Sequence, residues 1–351
     1  MSAKKSRRGA AAITLHHVAK VAGVSPMTVS RVIGGVPTVN REMRERVEAA
    51  IARTGYAPNA AAQKLASGGI TRIGVVYGNP SASFTSEMLI GLVEASSRLG
   101  CQLVLKKCKS PSQAAAHAEA LVQAQVHGVI LPTPLCDNAR LAALFAAAEI
   151  PTLALGGAIP NGHRLALLID NVRAAREMTR HLISMGHRDI GFVRGHRAQI
   201  DSEQRFLGFE AALREAGLPL REDWVKQGDY SYRSGVEAAD ELLAGPHRPS
   251  AIFASNDEMA AGALAAAHRR GLEVPDQLSI AGFDDTALAK TVWPSLTTIR
   301  QPVADMSDRA LEMMVEEIRR RSKRVPQPRS VTIKLKLIKR ESVSQFHPEA
   351  G

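Results

Sequence analysis

Apolar residues recur along Ile13–Ile33, ITLHHVAKVAGVSPMTVSRVI, at a spacing that predicts two short helices broken at Ala22-Gly23-Val24. Gly23 can take the left-handed conformation that ends the first helix. Ser25 can accept a bond from the free amides of the second, and Pro26 fits its first position. Val18, Val21, Val24, Val29 and Val32 supply one small shared core, which leaves Pro26, Met27, Thr28, Ser30 and Arg31 pointing outward. A helix-turn-helix presents such a face to the DNA major groove, whereas an ordinary helical hairpin at a domain edge is the plain alternative. Asn40 is a good N-cap for a third helix, Arg41–Thr54, which carries Met43, Val47, Ala50 and Ile51 at helical spacing before Gly55 closes it. Pro58 and Gly68 then bracket an Ala-rich helix of about two turns. A helix that short is marginal in water, so it is expected to order against a partner, with Leu65 lacking any local core.

Beyond residue 70 the pattern changes. β-Branched apolar runs predict strands at Arg72–Tyr77, Gln102–Lys106, Gly128–Leu131, Thr152–Leu155, Leu167–Asp170, Ile190–Val193, Ala251–Ala254 and Leu278–Gly282. Between them lie helical stretches at Phe84–Leu99, Ser112–Gln125, Arg173–Met185, Gln204–Ala216, Arg233–Leu243 and Asp257–Arg270, with a further long helix at Val303–Arg321. This alternation is the mark of an α/β protein, with parallel sheets covered by helices on both faces. Residues 71–351 are too many for one core of this type, so two subdomains are expected.

Charge separates the same two regions. Residues 1–70 hold 11 Lys+Arg against 3 Asp+Glu (Glu42, Glu45, Glu48), a balance of +8, while the remainder holds 34 against 31, or +3. A positive excess confined to one small segment is the electrostatic footprint of phosphate binding. Lys4, Lys5, Arg7 and Arg8 form a basic arm over residues 1–12, for which a solvated tail is the alternative.

Enzymatic readings find little support. The chain has no G-x-x-x-x-G-K-[ST], G-x-S-x-G or H-E-x-x-H motif, and no helix follows Gly156-Gly157…Gly162 at the place a dinucleotide site needs. His16, His17, His181 and His187 read as surface or capping residues rather than metal ligands. Cys101, Cys108 and Cys136 lack paired metal spacing and fit reduced, partly buried thiols, so neither metal nor cofactor is expected. A periplasmic sugar-binding protein is the best rival from another class, but Met1–Ala12 has no apolar core of signal-peptide length. No stretch approaches 18 consecutive apolar residues, so no membrane span and a cytoplasmic location are expected.

The combination TLHHVAKVAGVSPMTVSRVI, then VNREMRERVEAAIARTGYAPNAAAQKLASG, resembles the LacI/GalR family of transcription regulators, and the likeness runs to near Glu341. YxPNxxAxxL joined to a helix-turn-helix is highly specific. The resemblance implies a head at 13–58, a hinge helix at 59–68 and a core at 71–341, followed by a tail at 342–351. Within the core it implies one subdomain from 71–170 and 301–331, and a second from 171–300 and 332–341, of periplasmic-binding-protein-like architecture. It places Pro26, Met27 and Arg31 at base-reading positions. Thr14, Ser25, Thr28, Ser30, Thr38 and Asn59 fall at phosphate-contacting positions, and Ala62 and Leu65 fall where the hinge enters the minor groove. Gly34 departs from the Asn usual after the second helix. The implied partners are a near-palindromic double-stranded operator, a second copy of the chain and a small-molecule effector. The implied activity is repression without catalysis. The tail has no Leu heptads, which predicts a homodimer rather than a coiled-coil tetramer.

Polar residues collect at predicted strand ends, where open parallel sheets bind ligands: Asp170-Asn171, Ser255-Asn256-Asp257 and Asp284-Asp285, with Arg205 and Gln301 nearby. For Asp170, Asp257 and Asp285, helix capping is an equal alternative. Carboxylates, an amide and a guanidinium around a cavity suit a hydroxyl-rich ligand, because each hydroxyl both donates and accepts. The resemblance names Phe84, Arg205, Tyr230, Asn256, Asp284 and Gln301 as effector positions. Asp284 disfavours a sugar acid unless Arg205 neutralises it, which favours a neutral sugar; a sugar acid and a purine stay open.

Overall fold

The computed structural model describes residues 15–33, 40–54, 70–157, 163, 165–321 and 329–347, and the chain divides into two compact units, Met1–Ile70 and Thr71–Gly351. In the first, α1 (Leu15–Ala22) and α2 (Pro26–Ile33) are broken where the apolar spacing predicts, and α3 (Arg41–Thr54) has the predicted limits. Gly23 has φ +65°, and Ser25 Oγ accepts from Thr28 N at 3.1 Å, so both punctuation marks of the turn act as expected. Val18, Ala19, Ala22, Val29, Val32, Val47 and Ala50 are buried, with Val21, Val24 and Ile51 packed at the margin. Met43, expected on the core face of α3, is 43% exposed; the buried stripe starts one turn later, at Val47. Arg46 adds an unforeseen clasp. Its guanidinium donates to the carbonyls of Ala22 (2.8 Å) and Gly23 (3.4 Å), so a cation satisfies the open carboxyl end of α1.

The second unit has two lobes. Lobe one holds a six-stranded parallel sheet in the order β11-β5-β4-β3-β1-β2, built from β1 (Arg72–Tyr77), β2 (Gln102–Lys107), β3 (Gly128–Pro132), β4 (Thr152–Leu155), β5 (Leu165–Ile169) and β11 (Arg329–Ile333). Lobe two holds a four-stranded parallel sheet in the order β7-β6-β8-β9, from β6 (Ile190–Arg194), β7 (Val225–Gln227), β8 (Ala251–Ala254) and β9 (Ser279–Ala281). The chain passes between them three times: after β5, between β10 (Thr298–Arg300) and the helix starting at Val303, and between β11 and β12 (Lys336–Ile338). Strands β10 and β12 pair antiparallel.

Helices cover both faces of each sheet, which is why the central strands read as unbroken apolar runs rather than alternating ones. In lobe one, α4 (Ala82–Leu99) and α12 (Val303–Arg321) bury Met88, Leu92, Met306, Leu311 and Met314 on one face. On the other face, α5 (Pro111–Gln123) and α6 (Ala139–Ala147) bury Ala118, Leu121, Leu141 and Phe145. In lobe two, α7 (Asn171–Ser184) and α8 (Ile200–Glu215) enclose Phe192, Phe209 and Phe253, and α9 (Tyr232–Leu242) with α10 (Asp257–Arg269) bury an Ala-rich interface. A short helix, α11 (Ala287–Thr291), follows β9.

Strands β1, β4 and β8 have the predicted limits, and the long helix Val303–Arg321 packs within lobe one as the apolar pattern implies. Strands β7 and β10, at three residues each, were too short to show any period, and α8 begins four residues before the sequence places it. Among the described residues no helix is long and apolar enough to cross a membrane. The three cysteines are free, with Cys101 partly and Cys108 and Cys136 fully buried.

His181 and His187 are buried, not on the surface. His187 bonds Ser250 Oγ (2.9 Å), Ser279 Oγ (3.0 Å) and Ser344 O (3.2 Å), and burial lowers its pKa. It fastens the segment after β12 to lobe two. No group of His, Cys, Asp or Glu among the described residues is arranged to hold a metal.

Asp257 opens α10 but faces inward. It accepts from Thr286 N at 2.8 Å and Thr298 Oγ1 at 2.6 Å, tying the end of β8 to β10. Burial outweighs these donors and pushes its carboxyl up to about 7. The folded state therefore holds the proton more tightly than the unfolded chain does. The stabilisation is complete below the ordinary carboxylate range, near pH ~4, and is lost as pH rises through about 7. Asp257→Asn is expected to show a smaller loss of stability than the parent between pH 4 and 7, read from urea midpoints. Gly91 supplies a second test, because a Cβ there would lie 2.3 Å from the Ala304 carbonyl oxygen. Gly91→Leu must push α4 from α12 and is expected to cost about 1–3 kcal/mol in a urea melt.

Candidate nucleic-acid interface and ligand cleft

On α2, the packing of Val29 and Val32 inward turns the opposite side of the helix to solvent. Met27 is 65% exposed, and Arg31, four residues on, shares its face. Arg31 makes no ion pair among the described residues. Pro26 and Thr28 are half-buried, and Ser25 Oγ and Thr28 Oγ1 bond each other at 2.9 Å across the first turn. Ser30 lies on α2, though its side chain, like Thr14, Gly34, Thr38, Asn59, Ala62 and Leu65, is outside the described residues. A cation beside an apolar thioether on one exposed helical face has the chemistry to read a guanine edge and touch a thymine methyl.

The second site lies between the two lobes, and Arg205 organises it. Arg205 is 5% exposed on α8. Its Nε donates to Asn171 Oδ1 (2.9 Å), Nη1 donates to the Ser255 carbonyl, and Nη2 reaches Gln301 Oε1 at 3.4 Å. Its guanidinium carbon stacks 3.7 Å from the Phe283 ring centre, and Asp284 Oδ1 stands 3.5 Å from Nη1. Burial pushes the Asp284 carboxyl well up, and Asp257, Glu87 and Asp201 add to this while Arg205 opposes it. Burial likewise raises the Tyr230 hydroxyl above its ordinary pKa.

Arg205, Tyr230, Asp284 and Gln301 line a cavity of about 20 Å³ together with Asn79, Ser81, Phe84, Thr133, Gln199 and Asp201. That space holds about one water. Five of the six residues expected at an effector site, Phe84, Arg205, Tyr230, Asp284 and Gln301, share its wall. The sixth, Asn256, stands behind it. Asn256 Oδ1 accepts from Met259 N and its Nδ2 donates to the Tyr230 carbonyl, both at 2.9 Å, so it caps α10 and holds Tyr230 in place. Asp170 also proves to be a cap, accepting from Arg173 N at 2.9 Å.

Two features mark the cavity as more than packing. Tyr230 (φ 73°) and Asp284 (φ 110°) hold left-handed backbone that costs a non-glycine residue about 1–3 kcal/mol. Three buried polar atoms, Gln199 Nε2, Tyr230 Oη and Asp284 Oδ1, have no well-formed hydrogen bond, although such groups are nearly always satisfied. Sequence reasoning missed Asn79, Ser81, Thr133, Gln199 and Asp201. All follow the carboxyl ends of β1, β3 and β6, so the strand-end rule that found Asp284 would have found them too.

Two bridges cross the cleft. Glu258 Oε1 of lobe two accepts from Ser81 Oγ (3.0 Å) and Ser83 N (2.9 Å) at the start of α4, and Thr133 Oγ1 donates to Asp201 Oδ2 at 2.7 Å. They hold the lobes together over the small cavity.

Comparison with known proteins bears on the fold and the family. Residues 14–59 match the family described as "Bacterial regulatory proteins, lacI family", and residues 179–343 match a periplasmic-binding-protein-like domain. Catabolite control protein A of Priestia megaterium is 34% identical over 87% of this chain and 92% of its own. The HTH-type transcriptional repressor PurR of Actinobacillus pleuropneumoniae is 32% identical over 95% of this chain and 99% of its own. Among solved structures, the regulator CelR in complex with cellobiose is 30% identical with TM-score 0.70, covering 94% of this chain and 99% of that one. The lac repressor dimer bound to operator and the anti-inducer ONPF is 26% identical, also with TM-score 0.70, over 95% and 99%. The helix-turn-helix head, the two-lobed core and relatives matched along nearly their whole length make this chain a DNA-binding transcriptional regulator of the LacI family.

Proposed function

We propose that the protein represses transcription as a homodimer whose grip on a near-palindromic operator is set by a hydroxyl-rich small molecule bound between the lobes of the core. The observation that carries the effector half is the trio of buried atoms without a well-formed hydrogen bond, Gln199 Nε2, Tyr230 Oη and Asp284 Oδ1, around one cavity, the last of them charge-compensated by Arg205. A ligand offering both donors and acceptors satisfies all three, and sugar hydroxyls do so in each direction. Phe84 supplies the apolar surface for a ring. The similar CelR structure holds cellobiose, and the similar lac repressor dimer holds operator and an anti-inducer.

The mechanism follows from volume. A cavity with room for about one water cannot admit a ring while Glu258 and Asp201 hold the lobes shut. The effector therefore favours a state in which the lobes stand further apart, and the population shifts toward it. In a dimer that shift changes how two heads reach successive major grooves, about 34 Å apart. Linkage is reciprocal, so operator weakens effector binding by the same factor as effector weakens operator binding. Pro26, Met27 and Arg31 carry base reading. Ser25, Thr28 and Ser30 contact phosphate with Thr14, Thr38 and Asn59, while Ala62 and Leu65 enter the minor groove.

Arg31→Ala is expected to cost roughly 1–3 kcal/mol on the selected operator and to relax preference at one base pair. Binding to sequences selected from a random pool checks this, and equal loss on every sequence would refute base reading. For the effector, Asp284→Asn is expected to weaken binding of a neutral saccharide drawn from a titration panel by roughly tenfold or more, while leaving operator affinity without effector unchanged. Tighter binding of gluconate than of any neutral saccharide would overturn the neutral-sugar preference.

A further inference from the structure

Asp284 lines the cavity, whereas its neighbour Asp285 is engaged elsewhere. The Asp285 side chain is 1% exposed and lies between two guanidinium groups. Arg300 Nε donates to its Oδ2 at 2.6 Å and Arg340 Nη2 donates to its Oδ1 at 2.5 Å, so each carboxylate oxygen holds one cation. These oxygens go to the arginines rather than to the amides of α11. Arg300 is the last residue of β10, and the chain leaves for lobe one directly after it. Arg340 stands two residues beyond β12, on the return. One buried carboxylate therefore grips the strands that carry two of the three connections between the lobes.

Further hydrogen bonds join the same turn to the same strands. Asp284 N donates to the Ile299 carbonyl at 2.8 Å, and Gln301 N donates to the Asp284 carbonyl at 3.0 Å. Arg340 Nη1 donates to the Leu296 carbonyl at 2.7 Å. Asp284 (φ 110°) and Asp285 (φ 59°) are consecutive and both left-handed. Such conformations persist in residues with side chains only where the surroundings over-determine them. Arg205 and the β10 backbone hold the first residue, and Arg300 and Arg340 hold the second. A turn fixed at both residues moves as a unit, so displacing the Asp284 carboxylate carries Asp285 with it.

Stability is a poor account of this triad. Desolvation offsets much of the attraction between buried ions, and their best-attested use is to fix register. The register fixed here is that of β10 and β12 against the turn beside the cavity. We infer that Asp285 is the positioning residue that couples the cleft to the interlobe connections: through Arg300 and Arg340 it passes a shift of the Asp284 turn to β10 and β12. This rests on the cavity beside Asp284 being the effector site, and it adds to that reading the route by which occupancy reaches the spacing of the lobes.

Hydrogen–deuterium exchange of the full-length chain tests the route without any effector. The readout is the exchange rate of the β12 amides, Lys336–Ile338, which lie outside the cavity wall. Asp284→Asn alone is expected to change that rate by about fivefold, and by less than about twofold once Asp285→Asn or Arg300→Gln has cut the route, because coupled sites are non-additive. Arg300 is half-exposed and its replacement keeps the Asp285–Arg340 pair, so this variant serves if Asp285→Asn does not fold. A clamp with a purely structural role loosens β12 by itself and leaves the effect of Asp284→Asn the same in every background. That result, or no change in β12 on Asp284→Asn, would overturn the inference. Calorimetric titration of cellobiose and glucose runs in parallel. Coupled exchange with no saccharide bound removes the sugar assignment alone, and saccharide binding with additive exchange removes the coupling role alone.

Discussion

A guanidinium that is 5% exposed must have its charge and all its donors answered from within the protein, and the arrangement around Arg205 follows from that requirement. Asn171 comes from the start of α7, Ser255 from the end of β8, Asp284 from beyond β9 and Gln301 from the crossover after β10. Phe283 closes the remaining face of the plane. One side chain thus ties three other segments of lobe two and one interlobe connection to α8. Because the guanidinium is already stacked and partly paired, its neighbours are left incompletely satisfied. Asp284 Oδ1 has charge compensation but no hydrogen bond. The unmet hydrogen-bonding capacity left around Arg205 is what the proposed ligand would supply.

The bridges across the cleft belong to the same economy of polar groups. Glu258 sits in the first turn of α10 yet caps α4 in the other lobe, and Asp201 in the first turn of α8 holds Thr133 beyond β3. Each bridge is made of groups that water or ligand hydroxyls can replace at little net cost, since exchanged hydrogen bonds contribute about 0.5–1.5 kcal/mol each. In the proposed mechanism, modest binding energy therefore suffices to part the lobes. Three chain crossings connect the lobes.

In the head, a core of seven small buried residues leaves little margin, and Arg46 compensates by satisfying the carbonyls at the end of α1 from α3. The turn between α1 and α2 is thereby held from both sides, by the left-handed Gly23 and by a cation on its carbonyls. This fixes the angle at which α2 offers Met27 and Arg31.

The chain by itself determined what depends on neighbours in sequence. Apolar spacing placed α1, α2, α3 and Val303–Arg321, β-branched runs placed β1, β4 and β8, and the cap chemistry of Ser25 and Asp170 operates as written. Motif and charge together located the head, strand-end position located Asp284 with Arg205 and Gln301 near it, and the family resemblance added Phe84 and Tyr230 to the same crevice. Tertiary structure decided the rest. Asn256 reads like a ligand residue but turns behind Tyr230, and Asp257 reads like a cap but is buried between Thr286 and Thr298, because their directions are set by segments 26 to 41 residues away in the chain. His181 and His187 are polar in sequence yet buried, because serines and a carbonyl from distant segments satisfy the ring of His187. Which polar atoms are left without partners is likewise a property of packing, since a hydrogen bond is lost or made only when separate strands bring its two ends together.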